Sequence, residues 1–194
     1  MLNAADYGVP QARPRLFIVG APKGKPTPRL PEPTHTGNWE RRKTGAPVDG
    51  EPHVTAGEAL ESLVSDPESE ELVRGQYAKL LPDIPPGDNY LFYTAKRGHP
   101  DPRFEWRSRY WSFLLKLSPD RPTPTIQAQP GPNVGPFHWE NRRLRVPELK
   151  RLFTYPDEFA FVGSRSSVQS QIGNSVPPYL AEQVAESVLA STDG

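Results

Sequence analysis

Residues 171–178, which read Q-I-G-N-S-V-P-P, include residue types that could hold a small ligand. Gly173 and Asn174 predict a turn that presents backbone N–H groups and one amide side chain. The two prolines that follow predict the start of a helix, because the first N–H groups of a helix have no partner within it. The same pattern also describes an ordinary helix start that binds nothing.

The chain behind this turn has helical apolar spacing over residues 179–191. Leu180, Val184 and Val188 fall on one stripe, which is typical of a helix with one buried face.

Two further blocks stand in a matching order along the chain. Residues 3–20 contain the spacing Gln11-x-Arg13-x-Arg15, followed by L-F-I-V-G. Residues 143–159 read R-L-R-V-P-E-L-K-R-L-F-T-Y-P-D-E-F. Together with residues 171–178, these ordered blocks resemble the C-terminal part of the DNA cytosine-5 methyltransferases. A P-T-I run within residues 123–129 is similar to the point where the family's chain re-enters its catalytic half.

The resemblance implies an α/β fold. The chain would hold the C-terminal elements of an S-adenosylmethionine-dependent methyltransferase fold, together with a small irregular, β-containing target-recognition domain. Residues 1–22 would supply a strand and the arginine block of the catalytic domain. Residues 23–122 would form the recognition domain with its loop-rich lead-in, and residues 123–194 the return segment and the C-terminal helix.

The resemblance also assigns roles to individual residues. Gln11, Arg13 and Arg15 match the family's glutamine and two arginines, the second of which lies beside the flipped cytosine. A guanidinium there can bind the base oxygen or a phosphate, and it can stabilise charge that develops on the ring. Without the other blocks, these residues would be an exposed polar lead-in to a strand.

Asn174, Ser175 and Val176 match residues that line the family's S-adenosylmethionine pocket. The resemblance therefore implies that this cofactor binds in a shared site, which is incomplete in this chain.

The family attacks cytosine with a cysteine thiolate, and this sequence contains no cysteine. No other side chain can supply a thiolate. The family's glycine-rich turn and the glutamate that steadies the cytosine ring are also missing. We therefore expect the chain to be inactive alone and to need an N-terminal methyltransferase half. It would then be a subunit of a split enzyme, the product of a broken gene or a separate fragment.

With that half, the expected reaction is methyl transfer from S-adenosylmethionine to carbon 5 of cytosine in double-stranded DNA. A restriction-modification or related system is the expected setting. The alternative is a non-catalytic DNA-binding module, or an inactive relic of such an enzyme.

Basic side chains and aromatic rings alternate in residues 88–117, which we call the aromatic region. Arg97, Arg103, Arg107 and Arg109 are the predicted DNA contacts, because guanidinium groups bind phosphates or guanine edges while rings stack or wedge. The alternative is a small β-rich core whose rings face inward and whose arginines face water. Both alternatives can be true together if rings and arginines occupy alternating positions of a strand.

Composition limits the rest of the interpretation. The chain has 194 residues, 35% of them hydrophobic, with 25 prolines and 15 glycines, so we expect much loop, a thin core and low stability without a partner. The absence of cysteine excludes disulfides and thiolate metal sites, and we expect no metal. No apolar run is long enough for a membrane helix or a secretory signal, so a cytoplasmic protein is expected.

Local patterns predict the remaining elements. Residues 16–19 are a short apolar run that predicts a buried strand, and residues 21–52 predict an extended loop. The sequence T-A-G-E at 55–58 is a capping-box pattern that predicts a short helix, with Leu60, Leu63 and Val64 on its apolar face. Residues 72–81 would extend or repeat that helix.

A second helix is predicted to begin at Pro147 and Glu148, with Leu149, Leu152 and Phe153 facing inward. The family usually has threonine at the position of Arg145 and glutamine at the position of Phe153. The first difference removes a helix cap, and the second replaces an amide by a ring.

Overall fold

The computed structural model of this chain describes residues 1–37, 50–63, 72–107 and 109–192. Strand β1 (Leu2–Asn3) pairs antiparallel with β2 (Pro14–Arg15). Strand β3 (His35–Thr36) pairs parallel with β4 (Glu51–Pro52). The described part of the chain thus builds two small sheets.

Four α-helices are present among the described residues. They are α1 (Ala56–Leu60), α2 (Val146–Leu152), α3 (Arg165–Asn174) and α4 (Pro178–Thr192). Short 3-10 turns cover Ala4–Tyr7, Ala78–Leu80, Tyr90–Tyr93 and Ala95–Arg97. The chain therefore contains both helices and strands, in agreement with the α/β prediction.

The capping box predicted for α1 is confirmed. The Thr55 hydroxyl accepts the Glu58 N–H at 3.2 Å, and the Glu58 carboxylate accepts the Thr55 N–H at 2.7 Å. These two bonds satisfy donors that have no partner within the helix. Leu60 is buried and Leu63 packs on the core, whereas Val64 lies outside the described residues.

The largest core cluster joins α1, α2 and α3. Leu149, Leu152 and Phe153 are at most 1% exposed, which confirms the predicted inward face of α2. The other buried members are Ala56, Leu60, Leu117, Ile126, Leu144, Val168 and Ile172. Because Ile126 follows the aromatic region in the chain, this cluster also holds the return segment against the helices.

Helix α4 packs on the N-terminal segment. Leu180 and Val184 are buried with Ala4, Tyr7 and Val9, and Val188 packs against the same cluster. The predicted stripe of this helix is therefore confirmed.

The aromatic region has a core of its own. Tyr90, Tyr93, Leu81, Ile84, Leu114 and Phe137 are buried together. Tyr77, Phe104 and Phe113 join them in edge-to-face contacts, with ring centroids 5.3 to 5.9 Å apart. Backbone pairing of residues 88–117 consists of isolated bridges, such as Thr94 with Phe104. Ring packing rather than a regular sheet therefore holds the described part of this region together.

Two predicted elements are wrong. Residues 16–19 are not a buried strand, because β2 ends at Arg15 and the Leu16 and Ile18 side chains are 73% and 88% exposed. A strand is buried only where other elements cover its faces. In this segment, Phe17 packs against the hydrophobic cluster of α4 and the N-terminal segment, whereas Leu16 and Ile18 do not. Residues 72–81 form no α-helix and contain one 3-10 turn near their end. Before that turn, Gly75 has a φ of 127°, which is not a helical backbone conformation.

The loop predicted over residues 21–52 is interrupted in its described part by β3 and β4. Residues 38–49 of this segment lie outside the described residues.

A buried ion pair anchors the start of α2. The Arg142 guanidinium donates two hydrogen bonds to the Glu148 carboxylate, at 2.9 and 2.7 Å, and both side chains are at most 6% exposed. Burial alone would raise the pKa of Glu148, but hydrogen bonds from Arg142 and from the Arg145 N–H hold it below its usual value. The Arg145 side chain makes no cap, as expected from the loss of threonine.

Glu148→Gln should lower the free energy of unfolding by about 3–5 kcal/mol, because it removes the buried carboxylate that pairs with Arg142 and leaves only the half-exposed Glu140 carboxylate, 3.1 Å from Arg142 Nε, as counter-charge. The double variant Arg142→Leu/Glu148→Leu should be much more stable than Glu148→Gln, because a buried ion pair can be replaced by apolar side chains at little net cost. Urea unfolding followed by tryptophan fluorescence measures both effects.

Arg151→Gln is the matched control, because Arg151 pairs with the exposed carboxylate of Asp157. Its effect should stay below about 1 kcal/mol. A Glu148→Gln protein as stable as this control would contradict the assignment of the pair.

Candidate functional site

The Arg13 side chain is the point at which three segments of the chain meet. It is 1% exposed, and its guanidinium donates to the carbonyls of Ile126 at 3.1 Å and Ser175 at 3.3 Å. It also donates to the Gly173 carbonyl and to Gln11 Oε1. The first block is thereby bound to the return segment and to the end of α3.

Phe153 completes the surroundings of this guanidinium. Arg13 Cζ lies 4.9 Å from the centroid of the Phe153 ring, which is a cation–π distance. Burial lowers the pKa of Arg13 to about 10, and the nearby charge of Arg15 acts in the same direction. Arg13 therefore stays charged at neutral pH, and its charge is balanced by carbonyl dipoles and a ring.

Gln11 is buried completely and supports the same junction. Its Oε1 accepts from Arg13 and from the Ile126 N–H at 3.4 Å, and its Nε2 donates to the Leu152 carbonyl at 3.4 Å. Its backbone bridges to Thr123. Gln11 and Arg13 are thus both inside the protein.

Arg15 has a different environment from Arg13. It is half-buried, and its Nη1 donates to the carbonyl of Pro14 at 2.9 Å. Its other nitrogens make no hydrogen bond to the described residues. Burial lowers the pKa of Arg15. Of the three residues of this block, Arg15 alone offers a guanidinium with donors still free for a ligand.

The turn predicted at Gly173 and Asn174 is wrong, because both residues are in the last turn of α3. The bend follows at Ser175, and α4 begins at Pro178. A Cβ atom on Gly173 would lie 2.4 Å from the Ala128 Cα. Glycine is therefore required here for close packing of α3 on the return segment, a cause that the local sequence does not reveal.

The predicted cofactor residues border the bend. Asn174 is exposed, and its amide makes no hydrogen bond to the described residues. Ser175 donates its hydroxyl proton to the Ile172 carbonyl at 2.7 Å, and Val176 is 37% exposed. At this bend, the exposed Asn174 amide, which binds none of the described residues, is therefore close in sequence to the partly exposed apolar side chain of Val176. These groups suit a ligand with polar and apolar parts.

The structure brings the first and last blocks together through Arg13. The carbonyls of Gly173 and Ser175, which accept hydrogen bonds from Arg13, are thereby anchored two residues along the chain from Arg15.

The four predicted DNA contacts lie on the surface of the aromatic region. Arg97, Arg103, Arg107 and Arg109 are all exposed. Arg97 pairs with Asp88 and Arg103 with Asp101. Exposed pairs of this kind exchange partners at little cost, so a phosphate could replace either carboxylate. The Arg107 guanidinium lies 6.0 Å from the centroid of the Tyr110 ring.

Exposed rings accompany these cations. Trp106, Tyr110 and Trp111 are about half exposed, whereas Tyr90 and Tyr93 are buried. One set of rings in the aromatic region therefore forms a core, held by ring packing and not by a sheet, and another set is at the surface.

A cleft of about 330 Å³ joins the aromatic region to the first block, a feature that sequence patterns did not predict. It is lined by Pro14, next to Arg15, and by Asn89, Trp111, Lys116 and Arg121 among others. Lys116 is 2% exposed, and burial lowers its pKa. The cleft therefore has Lys116 and Arg121 as its basic lining residues, beside the backbone of the first block.

Among the described residues, no group of acidic, histidine or cysteine side chains is arranged to hold a metal ion. In the same part of the chain, every helix is too short or too polar to span a bilayer.

Comparison with known proteins identifies the class. The family model described as C-5 cytosine-specific DNA methylase matches residues 1–190, and the chain belongs to this family. It is 49% identical to the type II methyltransferase M.SacI of Streptomyces achromogenes, over 97% of this chain and 50% of that protein.

Two further relatives give the same result. The type II methyltransferase M.BbvI of Brevibacillus brevis is 33% identical over 95% of this chain and 46% of its own length. M.NgoFVII of Neisseria gonorrhoeae is 34% identical over 96% of this chain and 48% of its own length. The chain spans about half the length of the curated relatives it matches.

Arg13→Met should lower the free energy of unfolding by about 3–5 kcal/mol, because it leaves several buried carbonyls without a donor. Arg13→Lys should recover little, since one ammonium cannot reach acceptors on both sides of the planar fork. Thermal unfolding monitored by circular dichroism measures the loss. Arg15→Met is the matched control and should change stability by less than about 1 kcal/mol. Equal melting temperatures for the two Met variants would rule out the structural role of Arg13.

Proposed function

We propose that this chain is the C-terminal part or subunit of a DNA (cytosine-5)-methyltransferase. The observation that carries this proposal is the Arg13 junction, which joins the blocks that the family uses at its reacting base and at its cofactor. The chain would supply target recognition and part of the S-adenosylmethionine pocket. The half that it does not match in its relatives would supply the cysteine nucleophile and the other walls of the pocket.

Within this proposal, Arg15 contacts the flipped cytosine or a phosphate beside it. Its half-buried position and free donors suit an anion that forms only during the reaction, because the partly desolvated guanidinium interacts strongly there. Gln11 and Arg13 are positioning residues, since the Gln11 amide and both terminal nitrogens of Arg13 already bind protein groups. They fix the backbone from which Arg15 projects.

Asn174, Ser175 and Val176 are proposed to hold the cofactor. The free Asn174 amide can bind a polar group of S-adenosylmethionine, and the exposed Val176 side chain can cover an apolar part. When bound, this cofactor supplies an electrophilic methyl group. Arg13 places the bend near Arg15 by binding the carbonyls at its start.

Target recognition is proposed for the aromatic region. Its exposed arginines can bind phosphates and guanine edges, and Trp106, Tyr110 and Trp111 can stack or wedge. The cleft beside Pro14 would connect this surface with Arg15. A duplex held by the arginines would then present one base to the first block.

A non-catalytic DNA-binding module, or an inactive relic, is the second candidate. It is favoured by the lack of cysteine together with the exposed arginines and rings. A neighbouring reading frame that ends just before a glutamine-x-arginine-x-arginine block would favour the split enzyme instead.

The purified chain alone should transfer no methyl group to mixed-sequence DNA, because it has no thiolate. Activity should appear when the unmatched half of the Streptomyces achromogenes relative is added. Incorporation of radiolabelled methyl from S-adenosylmethionine measures both. Incorporation by the chain alone, above a heat-killed control, would refute the proposed division of labour. Inactivity of a mixture whose halves bind each other would favour the second candidate.

Neutralising Arg97, Arg103, Arg107 and Arg109 to Gln should weaken DNA binding and flatten its salt dependence. If all four contact phosphates, the slope of log K against log salt should fall by up to about 4, because fewer counterions are released. Fluorescence anisotropy of a labelled duplex at several salt concentrations measures this slope.

A charge-matched variant provides the control. Lys23, Lys25, Arg29 and Lys79 are exposed cations outside the predicted surface. Their replacement by Gln should leave the slope nearly unchanged. If the two quadruple variants behave alike, the DNA surface is elsewhere.

Arg15→Ala in a reconstituted enzyme should lower the methyl-transfer rate by about 100-fold or more while changing DNA affinity little. A contact made to developing charge acts on the transition state, which explains the difference. Asn174→Ala should instead raise the S-adenosylmethionine concentration required. Single-turnover kinetics at varied cofactor concentration separate the two effects. A wild-type single-turnover rate for Arg15→Ala would show that Arg15 does not contact the reacting base.

A further inference from the structure

Residues 103–107 of the aromatic region carry two opposite charges that bind no other part of the described chain. The Glu105 carboxylate is exposed and makes no hydrogen bond or ion pair to a described residue. The same is true of the Arg107 guanidinium, whose nearest ring is that of Tyr110, at 6.0 Å. The two side chains are two positions apart, yet they do not pair with each other. Both charges are therefore available to a ligand.

Glu105 and Arg107 line the same recess, which has a volume of about 460 Å³. Trp106, the residue between them, is not among its lining residues. This arrangement is expected of alternate positions in an extended segment, whose side chains point to the same face about 7 Å apart. Tyr90 and Phe113 also line the recess. A ligand there would meet one acceptor and one donor group beside aromatic rings.

The backbone that carries these charges is fixed at both ends. The Arg103 and Phe104 N–H groups donate to the Tyr93 carbonyl at 2.9 and 3.3 Å. At the other end, the Tyr90 hydroxyl accepts the Arg107 N–H at 2.9 Å and donates to the Arg107 carbonyl at 2.6 Å. Tyr90 and Tyr93 are both buried in the core of the aromatic region, so the side chains between these anchors project from a rigid support.

A free carboxylate is costly on a surface that meets DNA, because every phosphate repels it whatever the sequence. Only a hydrogen-bond donor on the DNA compensates for this repulsion. The base donors in the major groove are the amino groups at cytosine N4 and adenine N6, and glutamate side chains accept from cytosine N4. Glu105 would therefore weaken binding to most sequences and favour those that present such a donor, which is a recognised way to obtain specificity.

We propose that Glu105 and Arg107 recognise one G·C base pair of the target in the major groove. Glu105 accepts a hydrogen bond from the N4 amino group of the cytosine, and Arg107 donates to O6 and N7 of the paired guanine. This inference rests on the proposed function. It adds the chemical identity of one base pair that the aromatic region would recognise.

An A·T pair fits the two side chains less well. Adenine N6 can donate to Glu105, but thymine presents one acceptor, O4, beside its methyl group. Arg107 would then lose its bidentate contact. Arg103 is less suited to the guanine than Arg107, because its guanidinium already pairs with Asp101.

The test selects bound sequences from a pool of duplexes with a randomised central segment, using the full chain. The wild-type chain should enrich a site that contains one invariant G·C pair. Glu105→Gln should reduce the preference for cytosine over adenine at that pair by about 10- to 100-fold, because a glutamine amide binds adenine N6 and N7. Arg107→Gln should weaken the preference for guanine at the same pair. A merely structural role would not direct both effects to one base pair.

A base analogue tests the Glu105 contact itself. Replacing the selected cytosine by 2-pyrimidinone, which lacks the N4 amino group, should raise the Kd of the wild-type chain about tenfold, as expected for the loss of a hydrogen bond to a charged group. The same replacement should affect Glu105→Ala much less, because that variant has no carboxylate to lose its partner. Fluorescence anisotropy of the two duplexes measures the four Kd values.

Glu186→Gln is the matched control, because Glu186 is an exposed carboxylate of α4 that binds no described residue. It should leave every base preference unchanged. Since Glu105 also has no partner in the described chain, Glu105→Gln should melt at the wild-type temperature. Unchanged melting separates a loss of base recognition from a loss of folding.

Each other outcome overturns the inference. The inference fails if Glu105→Gln and Glu186→Gln select the same sequences, if Glu105→Gln and Arg107→Gln alter different base pairs, or if 2-pyrimidinone weakens the wild-type chain and Glu105→Ala equally. It also fails if no sequence is selected either by the chain alone or by its mixture with the unmatched half of the Streptomyces achromogenes relative.

Methyl transfer by that mixture is scored separately. A base preference that depends on Glu105 without any methyl transfer refutes the proposed enzyme but leaves the recognition of the G·C pair in place. Methyl transfer at a site that Glu105→Gln does not change has the opposite meaning.

Discussion

The buried guanidinium of Arg13 is the interaction on which the rest of the structure depends. A charge that is 1% exposed is tolerated only when acceptors surround it. Here the acceptors include the carbonyls of Gly173 and Ser175, which are at the C-terminal end of α3, where helix carbonyls have no internal partner. The terminal nitrogens of one side chain therefore satisfy the end of a helix and connect distant segments.

This junction determines what remains on the surface. Gln11 and Arg13 are used internally, whereas Arg15 and Asn174 keep donors that bind none of the described residues. The replacement of the family's usual glutamine by Phe153 fits the same arrangement, because the ring lies 4.9 Å from the Arg13 guanidinium and fills the core of α2. This departure from the family pattern thus has a structural explanation, without any loss of activity being assumed.

The described residues form three hydrophobic clusters. The cluster of α4 borders residues 16–19, where Phe17 packs on it while Leu16 and Ile18 are exposed. The exposed arginines and rings of the aromatic region show the complementary feature, a polar surface carried on a core of packed rings.

The sequence by itself determined the features that depend on near neighbours. The Thr55 capping box, the inward face of α2 and the stripe of α4 follow from residues within four positions of one another, and the ordered blocks indicated the family. Only the tertiary structure decided that Arg13 is internal, because its acceptors Ile126 and Gly173 are 113 and 160 positions away. The same holds for Gly173, which is required by contact with Ala128, and for residues 16–19. Whether an apolar strand is buried depends on what covers its faces, and no local pattern contains that information.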